Sequence, residues 1–286
     1  MSIIKKRLGS TDEYIPEIGL GTWEIGGRSI PDYSHDLDAI NAIKYAVELG
    51  MTHIDTAEMY AAGHAEELVG EALRQYPRDQ VFVASKVWPT NLRYDDVIRS
   101  CDATLRRLGM KYVDLYMIHW PNREVPLRDT MKALEKLYRD GKIRHIGVSN
   151  FSIDEVEQAR SYLSVTEVVA NQVEYSLLSR WAENGLLQHC SRERITVTAY
   201  SPLGKGRLLA QLNNKRSELY KVVSRLAERY QRTPVQILLN WVVHDENVIT
   251  IPKAIKRPHL EENAGASGWR LSDEDYRSLS NASLNL

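Results

Sequence analysis

Short apolar runs alternate along this chain with longer amphipathic stretches of helical length. A short run rich in β-branched residues and bounded by polar residues is typical of a buried strand, whereas apolar residues at three- and four-residue spacing indicate a helix. Eight such alternations follow an N-terminal segment that we predict to form a β-hairpin. The predicted strands are residues 18–22, 53–57, 81–87, 113–120, 143–150, 168–174, 195–201 and 248–253.

Local chemistry marks several of the predicted helices. In residues 129–138 the apolar side chains recur on one helical face. Ser152, Thr233 and Ser272 each place a hydroxyl three residues before an acid or an amide, which is the pattern of a capping box, and Pro234 stands at the first helical position after Thr233. We therefore predict helices that begin directly after these three residues.

Alternation of strands and helices can build either a closed barrel or an open doubly wound sheet. The open sheet usually carries a Gly-x-Gly-x-x-Gly turn, but in residues 19–26 the third glycine lies too far along, and residues 201–206 do not form a P-loop. A length of 286 residues suits one α/β barrel, and we find no linker. We predict a single domain, residues 1–286, that folds as a (β/α)8 TIM barrel with an N-terminal hairpin and a C-terminal extension of helix and loop.

Composition narrows the partners. Charged residues make up 26% of the chain, hydrophobic residues 43%, and the formal net charge is only -1, so nothing favours nucleic acid or an anionic membrane surface. The N-terminal segment has no apolar run of signal-peptide length, and no later stretch reaches the roughly 18 apolar residues of a membrane span. Cys101 and Cys190 lack metal-site spacing and are interpreted as free thiols. We expect a cytoplasmic protein, monomeric or weakly homo-oligomeric, that acts on a small molecule.

Four polar residues lie at the ends of the predicted strands or, for Tyr60, in the loop that follows, which is where barrel enzymes build their active sites. They are Asp55, Tyr60, Lys86 and His119. A tyrosine with an ordinary pKa near 10 is a poor proton donor at neutral pH, and we expect Lys86 to lower that pKa while Asp55 holds the lysine in place. His119 would hydrogen-bond a substrate carbonyl. The set predicts proton donation by Tyr60 to a polarised carbonyl.

No side chain donates hydride, so this chemistry implies a nicotinamide cofactor across the barrel mouth. Ser149, Asn150 and Gln172 offer hydroxyl and amide groups suited to a carboxamide. Tyr200 offers a ring that can stack on the nicotinamide, and Lys253 offers a cation for a phosphate.

Ordered motifs now make a family recognisable. Five segments in order resemble the motifs of the aldo-keto reductases over nearly the whole chain. They are residues 54–60 with 66–70, residues 142–151, 171–175 and 199–203, and residues 251–253 with Glu262 and Asn263. The resemblance implies reduction of aldehydes or ketones, sugars among them, with NADPH, and catalytic roles for Asp55, Tyr60, Lys86 and His119. It implies a substrate pocket formed by Trp23, Tyr60, Trp88, His119 and Trp120. It also implies cofactor contacts from Thr22, Trp23, Asp55, Ser149, Asn150, Gln172, Tyr200, Ser201, Leu203, Lys205, Lys253, Ala254, Ile255, His259, Glu262 and Asn263.

The chain departs from the family pattern in three places. Ala61 follows the tyrosine where the family commonly has glycine, which we expect to be a minor change in the loop. Ala254 and His259 stand where serine and arginine commonly help to bind the 2′-phosphate of NADPH. Lys253, with two further cations in residues 256–257, can compensate. NADPH is the expected cofactor, and use of NADH stays open.

Two other functions remain as alternatives. The same fold serves as a non-catalytic nicotinamide-binding regulatory subunit, although the complete set of four polar residues favours an enzyme. A sugar-phosphate isomerase or aldolase would need a phosphate loop, for which residues 205–207 leave some room. Tyr138 and Lys142 match the spacing of short-chain dehydrogenases, but we interpret them as a helix end and a turn. No metal-binding motif occurs among the eight histidines.

Overall fold

The computed structural model describes residues 3–284 of the chain. Eight parallel strands follow one another in sequence order around a sheet, and a separate antiparallel pair precedes them. The pair consists of β1 (Lys5–Arg7) and β2 (Tyr14–Pro16). The parallel strands are β3 (Leu20–Gly21), β4 (His53–Asp55), β5 (Phe82–Val87), β6 (Val113–Ile118), β7 (Ile143–Ser149), β8 (Val168–Glu174), β9 (Thr196–Tyr200) and β10 (Val248–Thr250).

The sheet closes between its first and last strands. A parallel bridge joins Ile18 to Thr250, the Gly19 amide donates to the Thr250 carbonyl at 2.8 Å, and the Thr250 amide donates to the Glu17 carbonyl at 2.8 Å. Closure removes the exposed sheet edges, as in other barrels. The predicted (β/α)8 barrel and its N-terminal hairpin are therefore confirmed.

Helices connect the strands and cover the outer face of the barrel. Six of them each join two successive strands, three lie between β9 and β10, and two follow β10. They are α1 (Asp36–Glu48), α2 (His64–Leu73), α3 (Tyr94–Leu108), α4 (Leu127–Arg139), α5 (Ile153–Ser161), α6 (Leu186–Arg192), α7 (Arg207–Gln211), α8 (Glu218–Tyr230), α9 (Pro234–Val242), α10 (Arg257–Ala264) and α11 (Asp273–Ala282).

The predicted helix starts are found where the capping patterns put them. Ser152 and Thr233 form complete capping boxes at α5 and α9, and the Ser272 hydroxyl accepts from the Asp275 amide at 3.2 Å at the start of α11. The helix predicted at 129–138 is α4, which begins two residues earlier. Every predicted strand exists, but most are shorter than predicted; β10, for example, ends at Thr250, and Pro252 lacks the amide hydrogen that a longer ladder would need.

The hairpin closes the N-terminal end of the barrel. Leu8 and Ile15 are buried against inward-facing apolar side chains of the strands. The Lys6 ammonium donates to the carbonyls of Val243, Asp245 and Val248 at 2.6 to 2.8 Å. This end of the barrel is filled by protein, which leaves the C-terminal end of the strands as the open one.

Cys101 and Cys190 are free, as expected, and both are buried. Among residues 3–284, every helix is too short or too polar to span a membrane. Over the same residues, no three side chains of His, Cys, Asp or Glu are grouped as a metal ion would require.

Candidate active site

The alternation of side chains along each strand places polar groups at the open end of the barrel. Ala84 on β5 and Met117 on β6 pack in the apolar barrel interior. Because successive side chains of a strand alternate between faces, Lys86 and His119, two residues further on, point into the same interior. They lie at the C-terminal end of the strands, so the last inward position is polar where the earlier ones are apolar.

Asp55, Lys86 and Tyr60 form a buried hydrogen-bonded group. The Lys86 Nζ donates to Asp55 Oδ1 at 2.5 Å, to the Thr56 carbonyl at 2.8 Å and to the Tyr60 hydroxyl at 3.3 Å. Lys86 is fully buried and Asp55 is 1% exposed. The Gln172 amide donates to the other Asp55 oxygen at 2.7 Å. Since both carboxylate oxygens and the ammonium have partners, the pair is held in one geometry.

The expected lowering of the Tyr60 pKa is wrong as a net effect. Burial raises the pKa of Tyr60, and the Lys86 ammonium, which lowers it, does not outweigh burial. Burial also lowers the pKa of Lys86, but Asp55 and Tyr60 more than offset this, so the pKa of Lys86 lies above its ordinary value. At neutral pH the site therefore contains a protonated phenol beside a charged lysine. This phenol can give up its proton to a stronger base.

His119 is held neutral. Burial, together with the Lys86 ammonium, lowers the pKa of His119 to about 2. Its Nδ1 is buried without a hydrogen-bond partner among the described residues, so Nε2 is the ring nitrogen available to a molecule in the cavity. The imidazole stands edge-on to the Tyr60 ring at 5.6 Å between centroids and to the Trp88 ring at 5.1 Å. A neutral imidazole here can donate or accept one hydrogen bond without bringing a charge.

Hydroxyl and amide groups line the opposite side of the barrel mouth. The Ser149 hydroxyl donates to the Gln172 carbonyl at 2.8 Å, and the Asn150 amide donates to Ser149 Oγ at 3.0 Å. The Tyr200 hydroxyl donates to Asn150 Oδ1 at 2.9 Å. These four predicted residues thus form one connected network, which fixes their orientation before any ligand arrives.

A cavity of about 650 Å³ opens above these groups at the C-terminal ends of the strands. Most of the residues predicted from the sequence as site residues line it. They are Trp23, Asp55, Tyr60, Trp88, His119, Trp120, Ser149, Asn150, Gln172, Tyr200, Ser201, Leu203, Lys205 and Lys253. Its size is that of a small-molecule or cofactor site.

Seven predicted residues do not line this cavity. Lys86 lies beneath it, and the Thr22 hydroxyl donates to the Asp55 carbonyl at 3.0 Å. The other five belong to the segment that leads from β10 through α10, where Ala254 and Asn263 are buried and His259 is exposed. These five are Ala254, Ile255, His259, Glu262 and Asn263.

Several lining residues were missed by the sequence reasoning. Most are apolar, or are glycine or proline, and such residues carry no chemical signal in a sequence. Glu24 is a further missed residue, a charged side chain for which the sequence suggested no partner. The missed residues are Gly21, Glu24, Met59, Pro202, Gly206, Leu209, Ile251 and Pro252.

The loop after Tyr60 has an unusual backbone. Ala61 and Ala62 both adopt left-handed conformations, with φ of 50° and 53°, and Gly63 follows at 96°. Such conformations cost about 1 to 2 kcal/mol for residues with a Cβ, and glycine adopts them freely. The Ala61 amide donates to the Arg28 carbonyl at 2.9 Å, which ties this loop to the loop after β3. Ala61 therefore keeps the conformation that glycine would favour.

Comparison with known proteins identifies the family. Residues 17–283 match the Aldo/keto reductase family. Methylglyoxal reductase YeaE of Escherichia coli (strain K12) is 39% identical over 96% of this chain and 93% of its own length. The NADH-specific methylglyoxal reductase of the same organism is 34% identical over 94% of each chain.

Two solved structures are similar over almost their full length. A thermostable aldo-keto reductase in complex with the inhibitor epalrestat is 43% identical, with a TM-score of 0.92, over 98% of this chain and 100% of that one. An aldo/keto reductase from Klebsiella pneumoniae in complex with NADP and acetate is 36% identical, with a TM-score of 0.84, over 98% and 95%. The chain belongs to the aldo-keto reductase family and is an oxidoreductase.

Proposed function

We propose that this protein reduces small aldehydes and ketones to alcohols with NADPH, and that Tyr60 is the general acid. One observation carries the proposal: the Tyr60 hydroxyl contacts a buried Asp55–Lys86 ion pair at the floor of an open cavity. A phenol in that position can protonate a carbonyl oxygen as negative charge develops on it. The Lys86 ammonium then stabilises the phenolate that is left.

His119 places the substrate in this scheme. As a neutral imidazole with Nε2 available to the cavity, it can hydrogen-bond the carbonyl oxygen beside Tyr60. Trp23, edge-on to Tyr60 at 5.0 Å, and Trp88, edge-on to His119 at 5.1 Å, would then enclose the rest of the molecule. Aromatic walls exclude water from the reacting carbonyl and favour uncharged substrates.

The residues present fit a nicotinamide. A carboxamide has one carbonyl acceptor and two N–H donors, and Ser149, Asn150 and Gln172 offer matching groups on a wall that is already hydrogen-bonded together. Tyr200 has its hydroxyl fixed on Asn150, so its ring has a defined position for stacking. When bound, reduced nicotinamide supplies the hydride that no side chain can donate. The Klebsiella relative in complex with NADP supports this assignment.

Preference for NADPH rests on cations at the rim of the cavity. Lys205 and Lys253 are exposed lining residues, and Lys256 and Arg257 follow in the chain. Arg257 lies over the Tyr45 ring at 4.6 Å, so its guanidinium is already engaged on α1. Lys253 is therefore our first candidate for the 2′-phosphate. Since one relative is an NADH-specific enzyme, both cofactors belong in the test.

The substrate class follows from the lining and from the relatives. Three tryptophans, Met59 and Leu209 form the apolar part of the cavity lining, which suits a small, uncharged carbonyl compound. The relatives include methylglyoxal reductases. We propose small aldehydes and α-dicarbonyl compounds as substrates.

Loss of nicotinamide absorbance provides the test. Purified protein is mixed with NADPH or with NADH and with methylglyoxal, glyoxal, a linear aldehyde or an aldose, and cofactor binding is measured separately by tryptophan fluorescence. We expect turnover of methylglyoxal with NADPH at a higher kcat/KM than with NADH. Tight NADPH binding without turnover of any carbonyl would replace the proposal with the regulatory subunit, and absence of nicotinamide binding would overturn both.

A further inference from the structure

Glu58 lies two residues before Tyr60 and has no assigned part in the reaction. It does not line the cavity; its half-buried carboxylate is directed to the neighbouring loop instead. Its Oε1 accepts from the Trp88 backbone amide at 2.6 Å and from the Asn91 side-chain amide at 3.0 Å. Its own backbone amide donates to the Lys86 carbonyl at 3.3 Å. Glu58 thus connects the loop that carries Tyr60 to the loop that carries Trp88.

Trp88 needs such a connection because β5 ends at Val87. From that point the chain leaves the sheet and forms a short 3-10 turn, Pro89–Asn91, in which the Asn91 amide donates to the Trp88 carbonyl at 2.9 Å. The Trp88 ring both lines the cavity and packs edge-on against His119. The position of this ring therefore affects the pocket wall and the group that we assign to the substrate carbonyl.

We propose that Glu58 is a positioning residue that sets substrate selectivity by fixing Trp88 from behind the pocket wall. A carboxylate acceptor makes shorter and stronger hydrogen bonds than a neutral one, which the 2.6 Å contact with the Trp88 amide reflects. A second contact also holds the turn, since the Asn122 side-chain amide donates to the Pro89 carbonyl at 2.9 Å. This inference rests on the proposed carbonyl reduction, whose success or failure is read from the unmodified protein in the same assay.

Glu58→Ala removes the acceptor and leaves the Trp88 amide without its partner. We measure kcat and KM for methylglyoxal and for 2-naphthaldehyde, with NADPH saturating. With Trp88 less firmly held, the pocket binds the small substrate less well. The ratio of kcat/KM for methylglyoxal to kcat/KM for 2-naphthaldehyde therefore falls about fivefold or more, mainly because KM for methylglyoxal rises. The Kd of NADPH stays unchanged. Glu58→Gln keeps an oxygen acceptor and restores most of the ratio.

Glu135→Ala is the matched control. The Glu135 carboxylate also accepts a backbone amide at 2.6 Å, from Ser164, but it does so in the loop before β8, at the closed end of the barrel. Its loss should lower stability by a similar amount and leave the selectivity ratio unchanged. A ratio that falls equally in Glu135→Ala and Glu58→Ala would overturn the proposal, because loss of stability alone would explain both.

A double-mutant cycle with Trp88→Ala tests whether Glu58 acts through the indole. In the Trp88→Ala background, Glu58→Ala should change the ratio by less than about twofold, since the ring it positions is gone. If Glu58→Ala does not fold, Glu58→Asp, whose side chain is one methylene shorter and so withdraws the carboxylate from the Trp88 amide, carries the same comparison. The proposal is wrong if the parent is active and Glu58→Ala has the same ratio. It is also wrong if Glu58→Ala changes the ratio as much in the Trp88→Ala background as in the parent. An inactive parent would instead refute the proposed function.

Discussion

Replacing Asp55 by asparagine tests the buried ion pair on which the candidate active site is built. Lys86 is fully buried, and its shortest contact is the 2.5 Å hydrogen bond to Asp55. Removal of one partner of a buried pair leaves an uncompensated charge and costs about 3 to 5 kcal/mol. For a chain of this size about 2 °C of Tm corresponds to each kcal/mol, so we expect Tm at pH 7 to fall by roughly 6 to 10 °C.

The pH dependence of this loss has a definite sign. In the parent the pKa of Lys86 lies above its ordinary value, so its contribution to stability is complete at neutral pH and is lost only as pH rises through the folded-state pKa. In Asp55→Asn, burial of Lys86 loses its main opposition and depresses that pKa. The unfolded variant then binds more protons than the folded one, so its stability rises with pH. The difference between parent and variant should be largest near pH 7 and smaller at pH 9.5.

Urea unfolding at both pH values measures this difference, and the double variant Asp55→Asn, Lys86→Met provides the control. With the charge of the lysine also removed, the double variant should be more stable than the sum of the two single losses predicts. A loss below about 1 kcal/mol at pH 7, or an equal loss at pH 7 and pH 9.5, would refute the description of Asp55 and Lys86 as a tightly coupled buried pair.

Three further predictions concern the ion pairs of His64, the histidine proposed to bind substrate, and the cofactor. His64 contacts Asp36 and Glu67 at 2.9 Å each, and although burial lowers the pKa of His64, these two carboxylates raise it overall. His64→Gln should therefore lower the free energy of unfolding by about 1 kcal/mol at pH 6 and by less at pH 9, measured by thermal unfolding. An equal loss at both pH values would contradict this. With a pKa of about 2, His119 stays neutral from pH 5.5 to 8, so the kcat/KM profiles of the parent and His119→Asn should share one shape, and an ionisation near pH 6.5 found only in the parent would count against it. Lys253→Ala should raise the KM for NADPH about fivefold and that for NADH less than twofold, and equal effects in steady-state assays would remove Lys253 from the 2′-phosphate site.

The barrel could be predicted from sequence because its signals are local and repeated. Each strand needs only a short β-branched run, and helix starts such as Thr233 and Pro234 carry their own capping chemistry. Strand ends were less accurate because they depend on hydrogen bonds to neighbouring strands: β3 keeps only Leu20–Gly21 of the five predicted residues. The left-handed Ala61 had only an indirect signal, the glycine that the family commonly has at this position, because the Arg28 carbonyl that holds it belongs to a distant loop.

The polar half of the site was also accessible from sequence, because inward-facing strand ends such as Lys86 interrupt an apolar alternation. The balance of effects on the pKa of Tyr60 could not be predicted from the sequence. Whether Lys86 or burial dominates the pKa of Tyr60 depends on how completely the surrounding side chains shield the phenol from water, and no spacing in a sequence encodes that. Glu58 was missed for another reason: it lies within the motif at residues 54–60, but the sequence does not identify its donors, the Trp88 backbone amide and the Asn91 side-chain amide.

In the proposed mechanism the Tyr60 hydroxyl gives the proton, Lys86 stabilises the phenolate that is left, and the other residues of the site bind and orient. Tyr60→Phe removes one oxygen and keeps the ring that packs against Trp23 and His119. We would measure kcat with methylglyoxal and NADPH, and the Kd of NADPH by fluorescence, for the parent and the variant. We predict a fall in kcat of about 10²-fold or more, with Kd unchanged within about twofold. Retention of more than about a tenth of the parental kcat by a folded Tyr60→Phe that binds NADPH normally would contradict the claim.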